Sequence, residues 1–168
     1  MQAAHTTQLE TVDSTELKAV MGRFATGVTI VAAIEDQKPV GFTCQSFVSL
    51  SIEPPLISIC PAKSSTSWPR MVKAGQFSVN ILAADQGSVC AAFARSGGDK
   101  FSAVAWHLGE HRTPIIDGVL ASIECELMLV HEAGDHELVI GRVLSLEAND
   151  QEPLVYFRSK LGSLVLDQ

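Results

Sequence analysis

The amino-acid sequence predicts a mostly β fold, an antiparallel β-barrel with appended helices. Across the 168 residues, about seven segments have the alternating or continuously apolar pattern of strands, and only two or three have helical spacing. The strands do not alternate with helices, which argues against a doubly wound parallel sheet. The length fits one domain.

The chain begins with a polar segment and a predicted helix. Residues 1–12 are polar, so we expect a flexible N-terminus followed by a single domain over residues 13–168. Asp13 and Glu16 have the spacing of a helix-capping pair. Behind them, apolar residues recur at helical spacing on one face, namely Leu17, Val20, Met21 and Phe24. The helix is expected to stop before residues 26–27.

A hairpin and a buried strand are predicted next. Residues 27–34 and 40–47 are rich in residues that favour strands, and the polar residues 35–39 between them form the turn. Residues 49–55 are expected to be a loop because they end in two prolines. The apolar residues 56–60 are predicted to be a short strand that is buried on both faces.

Two further helices and the remaining strands complete the prediction. A short helix contains Trp68 and Met71 and follows serines that can cap it. Another begins at Asp85 and ends near residues 96–99, and residues 100–118 are expected to be irregular. The remaining strands are predicted over residues 76–82, 119–131, 136–147 and 153–158.

The composition excludes several classes of protein. The chain has 12 Lys and Arg against 19 Asp and Glu, a net charge of -7. A general nucleic-acid binder needs clustered basic residues, and so does a protein that binds an anionic membrane surface. Hydrophobic residues make up 46%, which excludes a disordered chain. Charged residues make up only 18%, against about 25% in average domains. This predicts a covered surface, most simply a homodimer, with a tightly packed monomer as the alternative.

The cysteines and the N-terminus favour the cytoplasm. Cys44, Cys60, Cys90 and Cys125 are scattered among apolar residues, without a CxxC pair or metal-ligand spacing. They are expected to be free thiols in an intracellular protein. No apolar run reaches the roughly 18 residues of a transmembrane helix, and the N-terminus lacks the pattern of a signal peptide. We therefore expect a cytoplasmic protein that does not contact a membrane.

The familiar catalytic and nucleotide-binding motifs are absent from the sequence. It contains no GxGxxG, no GxxxxGK[ST], no HExxH and no GxSxG. His107 and His111 are four residues apart, but nothing near them completes a metal site. No bound metal is therefore expected.

Three polar constellations remain, and each has an ordinary structural alternative. The segment Thr43–Ser46 places hydroxyls and backbone amides at a strand end, where they could bind a phosphate or ring carbonyl or simply leave the strand. The segment Lys63–Thr66 precedes a helix and could cradle an anion or merely cap that helix. His136 follows a tight turn at Gly134–Asp135 and could contact a ligand or be an ordinary surface histidine.

Taken together, the motifs show that the chain resembles the short flavin reductases that form the small component of two-component, flavin-dependent monooxygenases. These motifs stand in order over residues 23–29, 41–47, 51–56, 63–66, 77–80, 99–101, 134–136 and 153–158. The resemblance covers residues 14–165 and implies the FMN-binding split-barrel fold, an antiparallel barrel of Greek-key type.

The resemblance also implies a function. Members of this family are homodimers with flavin at the dimer cleft, and they reduce free FAD or FMN with NADH or NADPH. The reduced flavin then passes to a flavin-dependent monooxygenase by diffusion or transient contact. NADH is favoured over NADPH because no cluster of cations stands out that could hold a 2′-phosphate. The alternative is a split-barrel protein that holds FMN tightly as a prosthetic group or store.

Site residues follow from the resemblance position by position. Those implied for flavin are Thr43, Cys44, Gln45, Ser46, Cys60, Lys63, Ser64, Ser65, Thr66, Asn80 and Lys100. Those implied for the nicotinamide nucleotide are Phe24, Ala25, Thr26, Gly27, Val28, Tyr156, Phe157 and Arg158, with His136 beside the nicotinamide. Gln45 stands where the family often has Asn, which moves the amide outward by about one methylene. His136 is the candidate catalytic residue and is expected to position the nicotinamide, because the cofactors themselves carry the hydride chemistry.

Overall fold

A computed structural model describes residues 12–164 of the chain. The predicted flexible N-terminus, apart from its last residue, lies outside the described residues. The three helices are α1 (Ser14–Met21), α2 (Trp68–Ala74) and α3 (Gly87–Ala94). The strands are β1 (Thr26–Gly27), β2 (Thr29–Glu35), β3 (Lys38–Cys44), β4 (Val48–Ser51), β5 (Leu56–Ile59), β6 (Gln76–Ile81), β7 (Trp106–Leu108), β8 (Pro114–Ile116), β9 (Ala121–Ala133), β10 (His136–Ala148), β11 (Leu154–Phe157) and β12 (Lys160–Ser163).

One large antiparallel sheet dominates the fold. Its seven strands have the order β3-β2-β6-β9-β10-β5-β4, and smaller sheets are formed by β1-β11-β12 and β7-β8. The predicted mostly β, antiparallel fold is confirmed. The edge strands β3 and β4 are consecutive in the chain, yet they are not hydrogen-bonded neighbours. The large sheet is therefore open between β3 and β4, as in a split barrel. We call this opening the seam, and the segment Gln45–Phe47 crosses it.

Two apolar cores lie on opposite faces of β2. Val31 and Ala33 pack into a core with Trp68, Met71 and Phe77. The alternate residues Ile30 and Ala32 pack into a second core, whose larger members are Leu82, Phe93, Phe101 and Ile116. Because successive side chains of a strand point to opposite faces, β2 is buried on both sides, and this explains its continuous apolar run.

The N-terminal helix begins where the sequence predicts. The Asp13 carboxylate accepts hydrogen bonds from the backbone amides of Thr15 and Glu16 at 2.8 and 3.0 Å. The hydrogen bonds from the Glu16 and Thr15 amides lower the pKa of Asp13. The apolar face of α1, however, has no buried residue. The helical spacing therefore marks a face that this chain leaves uncovered.

The predicted first helix included Phe24 but ends at Met21, and the predicted strand 40–47 ends at Cys44. Three further segments contain strands that were not predicted. Residues 49–55 were expected to be a loop, but β4 begins at Val48 and pairs with β5. Residues 100–118 were expected to be irregular, but β7 and β8 form a hairpin. The short strand β12 was not predicted and pairs with β11. In all three cases the segment is only three or four residues long and is stabilised by pairing with another strand, which local periodicity cannot reveal.

Candidate functional site

A cleft of about 1050 Å³ opens at the seam of the large sheet. This volume lies just above the range of about 300–1,000 Å³ that is usual for small-molecule and cofactor sites. Three chain segments supply most of its lining, namely the end of β3, the loop from β5 to α2, and the end of α3 with its following loop, and α1 and β10 contribute one residue each. The lining residues are Met21, Phe42, Thr43, Cys44, Gln45, Ser46, Cys60, Pro61, Ala62, Ser64, Ser65, Thr66, Ser67, Phe93, Ala94, Arg95, Ser96, Lys100 and His136.

Ser46 connects the two sides of the seam by hydrogen bonds to the backbone of Cys60. Its Oγ accepts a hydrogen bond from the backbone amide of Cys60 at 2.8 Å and donates to the Cys60 carbonyl at 3.2 Å. The thiol of Cys44 lies 3.3 Å from the same hydroxyl. The end of β3 and the residue after β5 are thus held together by a side chain, and this contact shapes the floor of the cleft.

The hydroxyl of Thr43 holds α3 against the sheet. Its Oγ1 donates to the carbonyl oxygen of Cys90 at 3.0 Å. Both Thr43 and Ser46 therefore use their hydroxyls within the protein. Gln45, between them, is exposed on the cleft wall. Its amide and the backbone of this segment are the groups best placed to meet a ligand here.

The loop after β5 contributes hydroxyl groups to the opposite wall. Ser65 Oγ accepts from the backbone amide of Trp68 at 3.2 Å and so supports the first turn of α2. Ser64 and Thr66 are exposed and line the cleft. Lys63 does not line it, because its Nζ lies 3.4 Å from a Glu132 carboxylate oxygen.

Lys100 brings a cation to the third side of the cleft. Its Nζ donates to the carbonyl oxygens of Gly41 and Phe93, both at 3.1 Å. Burial lowers the pKa of Lys100. An ammonium group has three N–H donors, so one remains for an anionic ligand.

His136 is the first residue of β10, and it lines the cleft. Its Nδ1 is 2.8 Å from a carboxylate oxygen of Asp135, and the side chain is 46% exposed. The hydrogen bond to His136 lowers the pKa of Asp135. The carboxylate fixes the ring and leaves Nε2 for a ligand.

Comparison with models of known protein families shows to which family the chain belongs. Residues 21–164 match the flavin reductase like domain. The chain belongs to this family.

Individual relatives agree with the assignment to the flavin reductase family. The reductase subunit HsaB of a flavin-dependent monooxygenase from Rhodococcus jostii is 44% identical over 95% of this chain and 82% of its own length. The NADH:FAD oxidoreductase SgcE6 of Streptomyces globisporus, solved with NAD and FAD fragments, is 33% identical, with a TM-score of 0.88 over 95% of this chain and 99% of its own. A homologue of nitrilotriacetate monooxygenase component B from Mycobacterium thermoresistibile is 40% identical, with the same TM-score over 91% of this chain and 87% of its own.

The structure places Asn80 outside the cleft. Asn80 is fully buried, and its amide nitrogen donates to the carbonyls of Ile30 and Pro114 at 3.3 and 3.2 Å. Its Oδ1 accepts from the backbone amide of Ile116 at 2.9 Å. With both ends of the amide engaged, Asn80 joins β8 to the large sheet. We correct the expectation that it contacts flavin.

The segments expected to hold the nicotinamide nucleotide lie together, but they do not line the cleft. Thr26 and Gly27 pair with Tyr156 and Val155 in the small three-stranded sheet. The side chain of Val28 is fully buried in the second core, so it cannot meet a ligand. Phe24, by contrast, is 77% exposed. Of the preceding helix, Met21 reaches the cleft. The remaining nicotinamide positions, including Ala25, Phe157 and Arg158, stay predictions.

Sequence reasoning missed several cleft residues. Phe93, Arg95 and Ser96 line the cleft at the end of α3. Arg95 stands two residues before the glycine pair 97–98 and five residues before Lys100, and this local concentration of cations was the available signal. Within residues 12–164, no group of His, Cys, Asp and Glu could hold a metal ion. The described part of the chain also has no helix that is long and apolar enough to span a membrane.

Proposed function

We propose that this protein is an NADH-dependent flavin reductase that reduces free FAD or FMN and supplies the reduced flavin to a monooxygenase component. The observation that carries the proposal is the cleft at the sheet seam, where Gln45, Ser64, Thr66, Lys100 and His136 converge. The names of the relatives support it, since they include a monooxygenase reductase subunit, a flavin reductase and an NADH-dependent FMN reductase.

The residues of the cleft fit a flavin. A flavin bound here would supply a ring that accepts hydride from a nicotinamide. The half-buried side chains of Phe42 and Cys60 offer apolar contact to the ring, and the Gln45 amide and nearby backbone amides offer donors to its polar edge. The hydroxyls of Ser64 and Thr66 and the Lys100 ammonium suit the ribityl phosphate.

The role that we propose for His136 is to orient the nicotinamide. The Asp135 carboxylate accepts from Nδ1, so Nε2 of the neutral imidazole is an acceptor and can accept from the carboxamide N–H of the nucleotide. A proton donor from the protein would not be required, because a bound flavin and nicotinamide would supply the hydride chemistry themselves, and the protein would hold the two rings together and exclude water.

Exposure of the cleft favours flavin as an exchangeable substrate. Gln45, Ser64, Thr66, Arg95 and Ser96 are all exposed on its walls. A flavin held between exposed residues can enter and leave, as transfer to a separate monooxygenase requires. The alternative, FMN bound tightly as a prosthetic group, would give a yellow protein with stoichiometric flavin after purification.

The decisive experiment follows NADH oxidation by the purified protein with and without added FAD or FMN. We expect turnover only with added flavin, saturation at micromolar flavin and a preference for NADH over NADPH. A colourless protein that oxidises neither nucleotide with either flavin would contradict the proposal. Flavin that co-purifies and sustains turnover without addition would support the prosthetic-group alternative.

We further propose that the protein is a cytoplasmic homodimer. A row with three apolar residues and one serine crosses the outer face of the large sheet, because Val48 pairs with Ser58, Ser58 with Ile140 and Ile140 with Leu129. Val48 and Leu129 are exposed, as is Leu138 two residues along on the same face. A second copy would cover this row.

The cysteines support the cytoplasmic part of the proposal. All four are free, which agrees with a reducing compartment.

A further inference from the structure

Two smaller cavities extend the cleft along one side. The first, of about 260 Å³, shares Thr66, Ser67 and Lys100 with the cleft. The second, of about 550 Å³, continues from the first and ends at Trp106. Residues common to these two cavities are Pro39, Arg70, Gly98, Asp99 and Phe101. We call the two cavities together the side groove.

The side groove contains a guanidinium that is held in place. Arg70 donates from Nε to a carboxylate oxygen of Glu35, and its side chain is 44% exposed. Glu35 itself is largely buried and also lies 3.8 Å from Lys73 Nζ. Because the carboxylate engages Nε, further N–H donors of Arg70 remain for another anion. A planar, oriented guanidinium suits a phosphate group.

The glycine turn at residues 97–98 leaves free space along one wall of the side groove, which we call its open floor. Gly97 and Gly98 both have φ of +75°, a left-handed conformation that favours glycine. A Cβ atom at either position would meet no atom within 4 Å. The space above this turn is therefore free for a ligand, and the glycines keep it so.

The far end of the side groove is aromatic. Trp106 is half-buried, and its ring lies 5.5 Å from that of Phe101 in an edge-to-face arrangement. An indole on a cavity wall offers a flat surface on which a nucleobase can stack. Asp99, between the glycines and Lys100, offers acceptors for ribose hydroxyls.

We propose that the side groove binds the adenosine diphosphate part of FAD, so that FAD is preferred over FMN. The proposal rests on the proposed flavin reductase function. NADH contains the same diphosphate and adenosine. We assign the groove to FAD because it leaves the cleft beside Thr66 and Lys100, where the flavin phosphate is placed. His136, the proposed nicotinamide contact, does not line it.

The test compares flavin binding in Arg70→Gln and Lys73→Gln. Both residues lie on α2 and face Glu35, but only Arg70 lines the side groove. Titrations without NADH, followed by flavin fluorescence, give Kd for FAD and for FMN. We expect Arg70→Gln to weaken FAD binding roughly tenfold, the loss of one charge-assisted hydrogen bond, and to change FMN binding less than twofold. Lys73→Gln should match the wild type with both flavins.

A second variant distinguishes a specific loss of FAD binding from a folding defect caused by Arg70→Gln. Gly98→Asn leaves the Arg70–Glu35 pair intact and adds a side chain to the open floor, in a conformation that Asn tolerates. It should also weaken FAD selectively. Equal wild-type affinity for FAD and FMN, or equal losses of both in the variants, would overturn the proposal.

Kinetics separate the two possible sources of the diphosphate. With FMN as acceptor, Arg70→Gln should leave KM for NADH unchanged. A rise in that KM would assign the groove to the nicotinamide nucleotide and overturn the proposal. If the wild type binds FAD selectively but oxidises no NADH, the proposed reductase function fails while the groove assignment stands.

Discussion

His136 and its carboxylate partner act at the scale of single residues. The Asp135 carboxylate lies 2.8 Å from Nδ1 of the ring, and the ring lines the cleft. A second pair of the same kind exists outside the cleft, where His107 Nδ1 lies 2.7 Å from Asp117. The two histidines therefore differ in position rather than in their local partner, which makes one a control for the other.

We predict that His136→Ala lowers kcat/KM for NADH about tenfold, the loss of one hydrogen bond to the nucleotide. The KM for flavin should change less than about twofold. Steady-state kinetics with saturating flavin measure the first quantity, and His107→Ala should leave it unchanged. Full kcat/KM in His136→Ala would remove the orienting role.

Glu124 is a buried carboxylate with a structural task. It is 4% exposed and accepts from Thr113 Oγ1 at 2.7 Å, from Ser145 Oγ at 2.9 Å and from the His111 amide at 3.0 Å. Burial by itself raises the pKa of Glu124, but the hydrogen bonds to Thr113, His111 and Ser145 together outweigh it and lower the pKa below 4.5. The loop before β8 is thus tied to the sheet by an ionised group.

We predict that Glu124→Gln lowers the free energy of unfolding by about 1–3 kcal/mol at neutral pH. Because folding lowers the pKa of Glu124, its stabilisation is complete above the ordinary value and is lost as the pH falls through the folded value. The gap between wild type and variant should therefore narrow below pH 4.5. Denaturant titrations at several pH values measure it.

A matched variant tests whether burial is the reason for the effect of Glu124→Gln. Glu126 lies two residues further along β9, and it pairs with Arg142 on the surface. Glu126→Gln should cost less than about 1 kcal/mol, as exposed ion pairs usually do. Equal losses from the two variants would contradict the structural assignment of Glu124.

At the scale of elements, β10 packs against the first core through a glycine. A Cβ atom at Gly141 would lie 2.7 Å from Phe77 Cζ and 3.2 Å from the Cys125 Cβ. Both neighbours are buried. The strand can approach the core this closely only because position 141 has no side chain.

We predict that Gly141→Ala destabilises the fold by about 1–3 kcal/mol through overpacking. Gly162→Ala on β12 is the control, since a Cβ there meets nothing within 4 Å. Thermal unfolding of the two variants provides the comparison. A loss at position 162 as large as that at position 141 would contradict the packing argument.

At the scale of the whole molecule, the outer face of the large sheet carries exposed apolar residues that are suited to an interface with a second copy. Val48, Leu129 and Leu138 are exposed on one face of adjacent strands. Stable interfaces bury upwards of about 1,000 Å² with an apolar centre. This row would supply such a centre if two copies met there.

We predict that the wild type sediments as a dimer and that Leu129→Glu sediments as a monomer, because the new carboxylate would be buried without a partner. Leu146→Glu changes another exposed leucine on the β9–β10 pair and should remain dimeric. Sedimentation velocity at several concentrations distinguishes the states. A monomeric wild type would overturn the homodimer proposal.

Local sequence was sufficient for most elements and for part of the candidate site. The apolar run of β2 and the helix cap at Asp13 are short-range patterns, and both are found in the structure. The segments Thr43–Ser46 and Lys63–Thr66 were identified as strand and helix boundaries with polar side chains, and all of their residues except Lys63 line the cleft. Patterns of this kind are carried by residues that are neighbours in the chain.

Asn80 shows where such reasoning fails. Its motif position suggested a ligand contact, but its amide is hydrogen-bonded to Ile30, Pro114 and Ile116, all of which lie more than thirty residues away in the chain. The hairpin β7–β8, to which Asn80 is bonded, was itself not predicted. A side chain whose partners are distant in the chain cannot be assigned before the pairing of strands is known.

The sequence by itself determined the mostly β fold, the flavin reductase family and the polar segments at the strand ends, because these are written in periodicity and in motifs of adjacent residues. Only the tertiary structure decided which residues meet. It brought Lys100 to Gly41, joined Ser46 to Cys60, and extended the cleft past Arg70 to Trp106. Those contacts depend on strand register and on packing between segments far apart in the chain, and no local pattern specifies either.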